Sequence, residues 1–223
     1  MILVLFSGGV ESTVLLKYFL KETKQIVHVL YTRLGYDDSA IKRLKEQDIA
    51  AKEILSIYQK KYRDFNYGSI NLSLNNINRS HTEHGGFGYD EQWNLFFAGM
   101  YAKMLRIKEI WLGHFTYNQV DRVKNNLGFQ TWFYDGNLEK YAFLGTSLDF
   151  AFTKDLIIKF PAKTFNKKEI DSFSSKKEAW DYIDEEVRPW VRSCWGEEKF
   201  CGKCYKCLTY IKSGIKNEKG EII

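Results

Sequence analysis

Long apolar runs are missing from this chain. The opening stretch, residues 1–6, is apolar but breaks at Ser7-Gly8-Gly9, and nothing later reaches the ~18 continuous apolar residues a spanning helix needs. So short a start is expected to be neither a secretion signal nor a membrane anchor, which makes the cytoplasm the expected compartment. Proline is scarce, with only Pro161 and Pro189, and there is no low-complexity segment or internal repeat. Cysteine is confined to four residues in one short segment near the carboxyl end. In a reducing compartment, clustered thiols point to a metal rather than to disulfides. Charge of one sign is not in large excess either. Lys+Arg 33 against Asp+Glu 28 leaves +5, which reads as a solubilising surface rather than a nucleic-acid face.

What is present suits a soluble globular domain. Across 223 residues, 44% are hydrophobic and 27% charged, enough for one sizeable core. The 16 Phe, 14 Tyr and 6 Trp imply a core and any pocket lined by rings. A continuous apolar run at 2–6 and apolar-rich segments at 26–31, 69–74, 109–113 and 155–160 read as strands. Between them, 11–20, 39–58 and 90–105 carry helical periodicity. The expected inner faces are Val14, Leu15, Tyr18 and Phe19 in the first helix, then Ile41, Leu44, Ala51, Ile54, Leu55 and Tyr58 in the second. In the third, Trp93, Phe96, Phe97, Met100, Tyr101 and Met104 fall on one stripe and are expected to be core. The alternation predicts an α/β fold, a doubly wound parallel sheet covered on both faces. Ligands bind such sheets beyond the carboxyl ends of the strands. His28, inside the second strand, reads as structural.

The first of these strand ends is the most informative. A loop passing straight from a buried strand into a helix aims several backbone N–H groups at one point, and the helix dipole adds a positive field. Gly8 and Gly9 let the backbone approach a phosphate closely. Ser7, Ser12 and Thr13 add hydroxyls without charge. No Gly-Lys-Ser/Thr follows, so this is not a Walker A loop, and the third glycine of a dinucleotide fingerprint is missing. A plain strand-to-helix turn with a hydroxyl cap is the alternative reading of these residues alone.

The cysteines run Cys194-x6-Cys201-x2-Cys204-x2-Cys207. Four thiolates so spaced can wrap a tetrahedral zinc in a closed structural site. Gly202 permits the tight turn between two of them, while Lys199, Lys203 and Lys206 offset thiolate charge. An iron–sulfur cluster is the competing reading, although the Pro that follows the last cysteine of a ferredoxin run is absent here. With four protein ligands the metal would have no open position and would serve folding.

The stretch Leu5-Phe6-Ser7-Gly8-Gly9-Val10-Glu11-Ser12-Thr13 resembles the Ser-Gly-Gly-x-Asp-Ser loop of the N-type ATP pyrophosphatase (PP-loop) superfamily, with Glu11 where that loop has Asp. The resemblance implies an adenine nucleotide alpha hydrolase-like, Rossmann-like fold. It also implies cleavage of ATP between its α and β phosphates, with magnesium on the phosphates. Phe6 through Thr13 would hold the nucleotide, joined by Leu30 and Gly113 from the second and fourth strands, and Ser7, Glu11 and Ser12 would act in catalysis.

Joined to the carboxyl-terminal Cys201-Gly202-Lys203-Cys204-Tyr205-Lys206-Cys207, the loop resembles 7-cyano-7-deazaguanine synthases of queuosine precursor synthesis. Phe160-Pro161 and Asn166-Lys167-Lys168-Glu169 are similar to a further segment of that family. This resemblance implies a ligase using 7-carboxy-7-deazaguanine, ammonia and ATP, with Lys167 near the phosphates, a structural zinc on Cys194, Cys201, Cys204 and Cys207, and a homodimer. Lys167 and Glu169 could equally decorate a helix start. The family's Gly-Tyr-Pro-Asp-Cys-Arg loop is replaced by residues 114–122, where His114, Asp121 and Arg122 become the expected substrate contacts, with a surface ion pair as the alternative. That replacement leaves three further functions open. They are adenylation of another substrate (a tRNA base, a nucleic-acid deazapurine or a protein terminus), a catalytically silent nucleotide-binding partner, and a nucleic-acid footprint on Lys199, Lys203, Lys206 and Lys212. His81 and His84 read as a polar loop rather than a second metal site. The expected organisation is an α/β domain over 1–190, a four-cysteine segment over 191–215 and a tail over 216–223.

Overall fold

The computed structural model describes residues 1–35, 38–73, 88–113, 115, 156–159, 161, 173–192, 201–202 and 205–215. The strands are β1 (Ile2–Phe6), β2 (Val27–Gly35), β3 (Asn66–Ser73), β4 (Glu109–Trp111) and β5 (Ile157–Lys159). The helices are α1 (Val10–Glu22), α2 (Asp38–Lys61), α3 (Gly88–Met104), α4 (Lys176–Tyr182) and α5 (Tyr205–Lys212). A 3-10 turn, Arg188–Trp190, follows α4. No helix among the described residues is long and apolar enough to cross a membrane.

The sheet runs β3-β2-β1-β4-β5, and every one of these pairings is parallel. The chain winds outward from β1 through β2 to β3, then crosses back to place β4 on the other side of β1. Right-handed crossovers then put α1 and α2 on one face and α3 on the other. The side chains of β1 divide accordingly, since successive strand residues face opposite ways. Ile2, Val4 and Phe6 join the core under α1 and α2, while Leu3 joins Leu30, Ile110 and α3. With both faces covered, the parallel α/β expectation holds.

Helix α1 buries Val14, Leu15, Leu16 and Phe19, each worth about 1.5–3 kcal/mol relative to exposure. Its carboxyl end is closed by Arg63, whose guanidinium donates to the carbonyls of Phe19 at 2.8 Å and Leu20 at 3.1 Å. A cation there satisfies orphan carbonyls and complements the dipole. Ala51, Ile54, Leu55 and Tyr58 form the inner face of α2 as expected.

The third helix departs from expectation. Among its described side chains Leu95, Ala98 and Ala102 are buried, along with Gly99, whereas Met100 is 39% and Met104 77% exposed. Phe96, Phe97 and Tyr101 are half-buried. With alanine at i+3 and i+7 from Leu95, this face can pack closely on the sheet, and the bulkier stripe is displaced to its flank. Strand β2 also runs past residue 31 to Gly35, where it stays paired with β3 from Asn66 onward.

Beyond the sheet, residues 173–192 lie on the α1 and α2 face. Ser175 caps α4, its hydroxyl accepting from the Glu178 amide at 3.3 Å, and Glu178 reaches back to the Ser174 amide at 2.7 Å. Trp180, Ile183, Val187 and Val191 enter the same core as α1, and so do Tyr210 and Ile215 around α5. Asp184 fastens this segment. It takes Lys17 of α1 at 3.1 Å, Lys61 of α2 at 3.0 Å and the Tyr62 hydroxyl at 2.8 Å. Burial alone would raise the Asp184 carboxyl, yet the hydrogen bonds from Tyr62, Lys61 and Lys17 outweigh it and hold the group below its ordinary range.

Candidate active site

The strand order reverses between β1 and β4, and the crevice beyond their carboxyl ends is where a doubly wound sheet binds ligands. Residues 7–9 bridge β1 and α1 at that place. Gly8 sits at φ +74°, in the left-handed region that strains any residue with a Cβ. Gly9 is the N-cap of α1 and has no side chain to cap it. The first helical bond is Thr13 N–H to the Gly9 carbonyl at 3.0 Å, so the amides of Val10, Glu11 and Ser12 precede the helical ladder. The hydroxyls organise the turn around them. Ser12 Oγ donates to the Gly9 carbonyl at 3.2 Å and accepts from the Ser7 amide at 3.2 Å, and the Ser7 and Ser12 oxygens stand 3.2 Å apart. The result is a turn lined by backbone amides and two neutral hydroxyls, the chemistry of an anion site.

Three contacts from outside hold this turn in place. Gly113, just beyond β4, has no room for a side chain: a Cβ there would lie 2.7 Å from the Glu11 carbonyl carbon and 2.8 Å from the Ser12 nitrogen. The Arg192 amide donates to the Gly8 carbonyl at 2.8 Å. Lys176 of α4 pairs with Glu11 at 3.0 Å, the two side chains being 5% and 14% exposed. The Lys176 ammonium also lies over the Tyr210 ring, 4.7 Å from its centroid. Neither Lys176 nor Arg192 was foreseen from the sequence. The only local signal was the capping pattern Ser175-x-x-Glu178, which announces α4 but not its partner.

The expected nucleotide residues fall into two groups. Ser7, Gly8, Gly9, Glu11, Ser12 and Gly113 are gathered at the turn. Phe6, Val10 and Thr13 lie beside it with buried side chains, so they can offer a ligand only backbone atoms; the Thr13 hydroxyl has no hydrogen-bond partner among the described residues. Leu30 lies apart from both groups. It is fully buried in mid-strand, facing α3, because β2 continues to Gly35. His81, His84, His114, Asp121, Arg122, Lys167, Cys194 and Cys204 lie outside the described residues.

Of the cysteines, Cys201 and Cys207 are described, and their sulfurs stand 3.8 Å apart. That is far beyond a disulfide bond of about 2.0 Å. A tetrahedron with zinc–sulfur bonds of 2.3 Å has an edge of about 3.8 Å, so the pair fits two corners of one zinc site. Cys207 is buried at the start of α5, with Tyr210 one turn on.

No protein-family model matches the sequence, and no curated protein matches it. Among solved structures the chain is similar to the U34-tRNA thiolase NcsA from Methanococcus maripaludis with its 4Fe-4S cluster, at 15% identity and a TM-score of 0.43. The match covers 81% of this chain and 56% of that one, so this chain spans little more than half the length of that structure.

Proposed function

We propose that this chain is an ATP-consuming enzyme of the PP-loop type that activates an acceptor oxygen as an adenylate. The observation that carries the reading is the uncapped start of α1, lined by Ser7 and Ser12 and placed where the strand order reverses. A diphosphate seated there accepts from amides that the helix cannot use itself, and the dipole favours its charge. The substrate oxygen attacks the α-phosphorus, the bond to the α–β bridging oxygen breaks, and pyrophosphate departs into the turn. Protein groups act by positioning and by stabilising charge.

The specific reaction we favour is that of 7-cyano-7-deazaguanine synthases, on the strength of the loop and cysteine motifs together. The carboxylate of 7-carboxy-7-deazaguanine is adenylated, and ammonia displaces AMP to give the amide. Adenylation of the amide oxygen by a second ATP, followed by loss of AMP and protons, leaves the nitrile. The cysteine site would be a closed four-thiolate zinc centre that stabilises the fold. Incubation with ATP, ammonium and 7-carboxy-7-deazaguanine, followed by mass spectrometry, tests both levels. Nitrile, AMP and pyrophosphate are the expected products. Release of ADP and phosphate overturns the adenylate chemistry; AMP formation only with another acceptor, such as a tRNA base, overturns the substrate alone.

A further inference from the structure

Glu11 poses an electrostatic problem for the site just described. It places a carboxylate in the first turn of α1, at the point where a diphosphate would arrive, and two anions in so confined a space repel strongly. Lys176 answers it at 3.0 Å, and with 5% of its side chain exposed the ammonium is shielded from competing solvent. Lys176 is itself held from the other side by the Tyr210 ring, 4.7 Å away. Tyr210 stacks edge-on against Trp180 of α4 at 5.9 Å, which fixes α5 against the helix that carries Lys176. Tyr210 also follows Cys207 by one helical turn, so whatever orders the cysteine cluster orders the ring. A second connection runs through the backbone: Arg192, two residues before Cys194, donates its amide to Gly8 at 2.8 Å. The turn is thus held at Gly8 by a residue that precedes the cysteines, and at Glu11 by a lysine braced on Tyr210, which follows them.

We propose that Lys176 is a positioning residue that neutralises and orients Glu11, and that Lys176 through Tyr210, together with the separate Arg192 amide, couples the cysteine cluster to the phosphate turn. The proposal rests on the nucleotide-site reading above. An ordered cluster sets Tyr210, the ring sets the ammonium, and the ammonium removes the negative field from the turn. Linkage requires the reverse to hold with the same factor, so nucleotide binding tightens the hold on the metal.

The test uses full-length, zinc-loaded protein and the α,β-methylene analogue of ATP. Calorimetry gives the affinity for the analogue, and transfer to a chromophoric chelator gives the affinity for zinc. In the wild type, saturating analogue is expected to strengthen zinc retention by about tenfold, within the usual range of coupling between sites. Lys176→Met is expected to bind the analogue at least tenfold more weakly and to lose its effect on zinc, with zinc content and circular dichroism unchanged. Lys176→Arg restores both effects. Tyr210→Phe keeps the coupling because the ring remains, and Tyr210→Leu abolishes it. If Lys176→Met fails to fold, Tyr210→Leu decides the matter in the same assays. Unchanged coupling in Lys176→Met or Tyr210→Leu overturns the proposal, and so does a wild type that binds the analogue without any change in zinc retention. A wild type that does not bind the analogue overturns the nucleotide site itself, and this proposal with it.

Discussion

Replacing Gly113 by alanine tests how closely the exit of β4 is packed on the phosphate turn. The added Cβ would lie 2.7 Å from the Glu11 carbonyl carbon and 2.8 Å from the Glu11 oxygen and Ser12 nitrogen, where ordinary contact begins at 3.4 Å. Relief therefore needs a displacement of 3.4 − 2.7 = 0.7 Å. The atoms in the way are backbone, in the first turn of a helix whose buried face is fixed in the core, so no rotamer change can provide that distance. Overpacking of this kind costs about 1–3 kcal/mol. With a urea slope of about 2 kcal/mol/M, a loss near the middle of that range lowers the unfolding midpoint by about 1 M. The same displacement carries the amides of Glu11 and Ser12 away from the position a phosphate needs. Misplacement on the ångström scale costs up to about a hundredfold in turnover. Gly214→Ala is the matched control. Its φ of +64° brings backbone strain but nothing lies within 4 Å of the added Cβ, so stability falls by about 1–2 kcal/mol while nucleotide affinity stays unchanged. A Gly113→Ala protein with wild-type urea midpoint and wild-type analogue affinity refutes the packing argument.

Three further outcomes follow from the structure. Ser12→Ala removes the hydroxyl that ties Ser7 to Gly9; turnover should fall by about 10²–10³, as for loss of one charge-stabilising donor, with about 1 kcal/mol lost in chemical denaturation. Asp184→Ala leaves Lys17 buried without its carboxylate and should cost about 3 kcal/mol at pH 7. Because the Asp184 carboxyl is held below its ordinary range, its contribution is present above about pH 4 and disappears as pH falls through its native value. The difference in urea midpoint between wild type and variant should therefore shrink in acid, and a constant difference from pH 7 to pH 3 would contradict the assignment. Elemental analysis of the wild type should find zinc at one atom per chain, and Cys207→Ser should lose most of it along with thermal stability. Iron in its place would overturn the zinc reading.

The sheet, the first two helices and the strand-to-helix turn between β1 and α1 could be read from the chain because each rests on local chemistry. Continuous apolar runs closed by glycine mark buried strands, and an apolar stripe at helical spacing marks a packed face. The face of α3 was misread for an instructive reason. Periodicity reveals that apolar residues share a side, but the helix carries two such sides, and hydrophobicity favours the one with Phe and Met. Close approach to a sheet selects Leu95, Ala98 and Ala102 instead, a steric preference invisible without the partner surface. The contacts of Lys176 with Glu11 and of Lys17 with Asp184 are of another kind. They join residues more than 160 positions apart, and no local pattern distinguishes those lysines from their exposed neighbours. Arg192 is harder still, since its contribution to the turn is a backbone amide that any residue but proline would supply.

The return of Lys176 and Arg192 to the turn at Gly8 and Glu11 has a consequence for biosynthesis. The turn at residues 7–12 is synthesised before Lys176 and Arg192, which brace it. A nascent chain that has completed β4 already owns the centre of its sheet but not the latch on that turn. The turn is therefore braced late, after the elements that surround it, by contacts between residues far apart in the sequence.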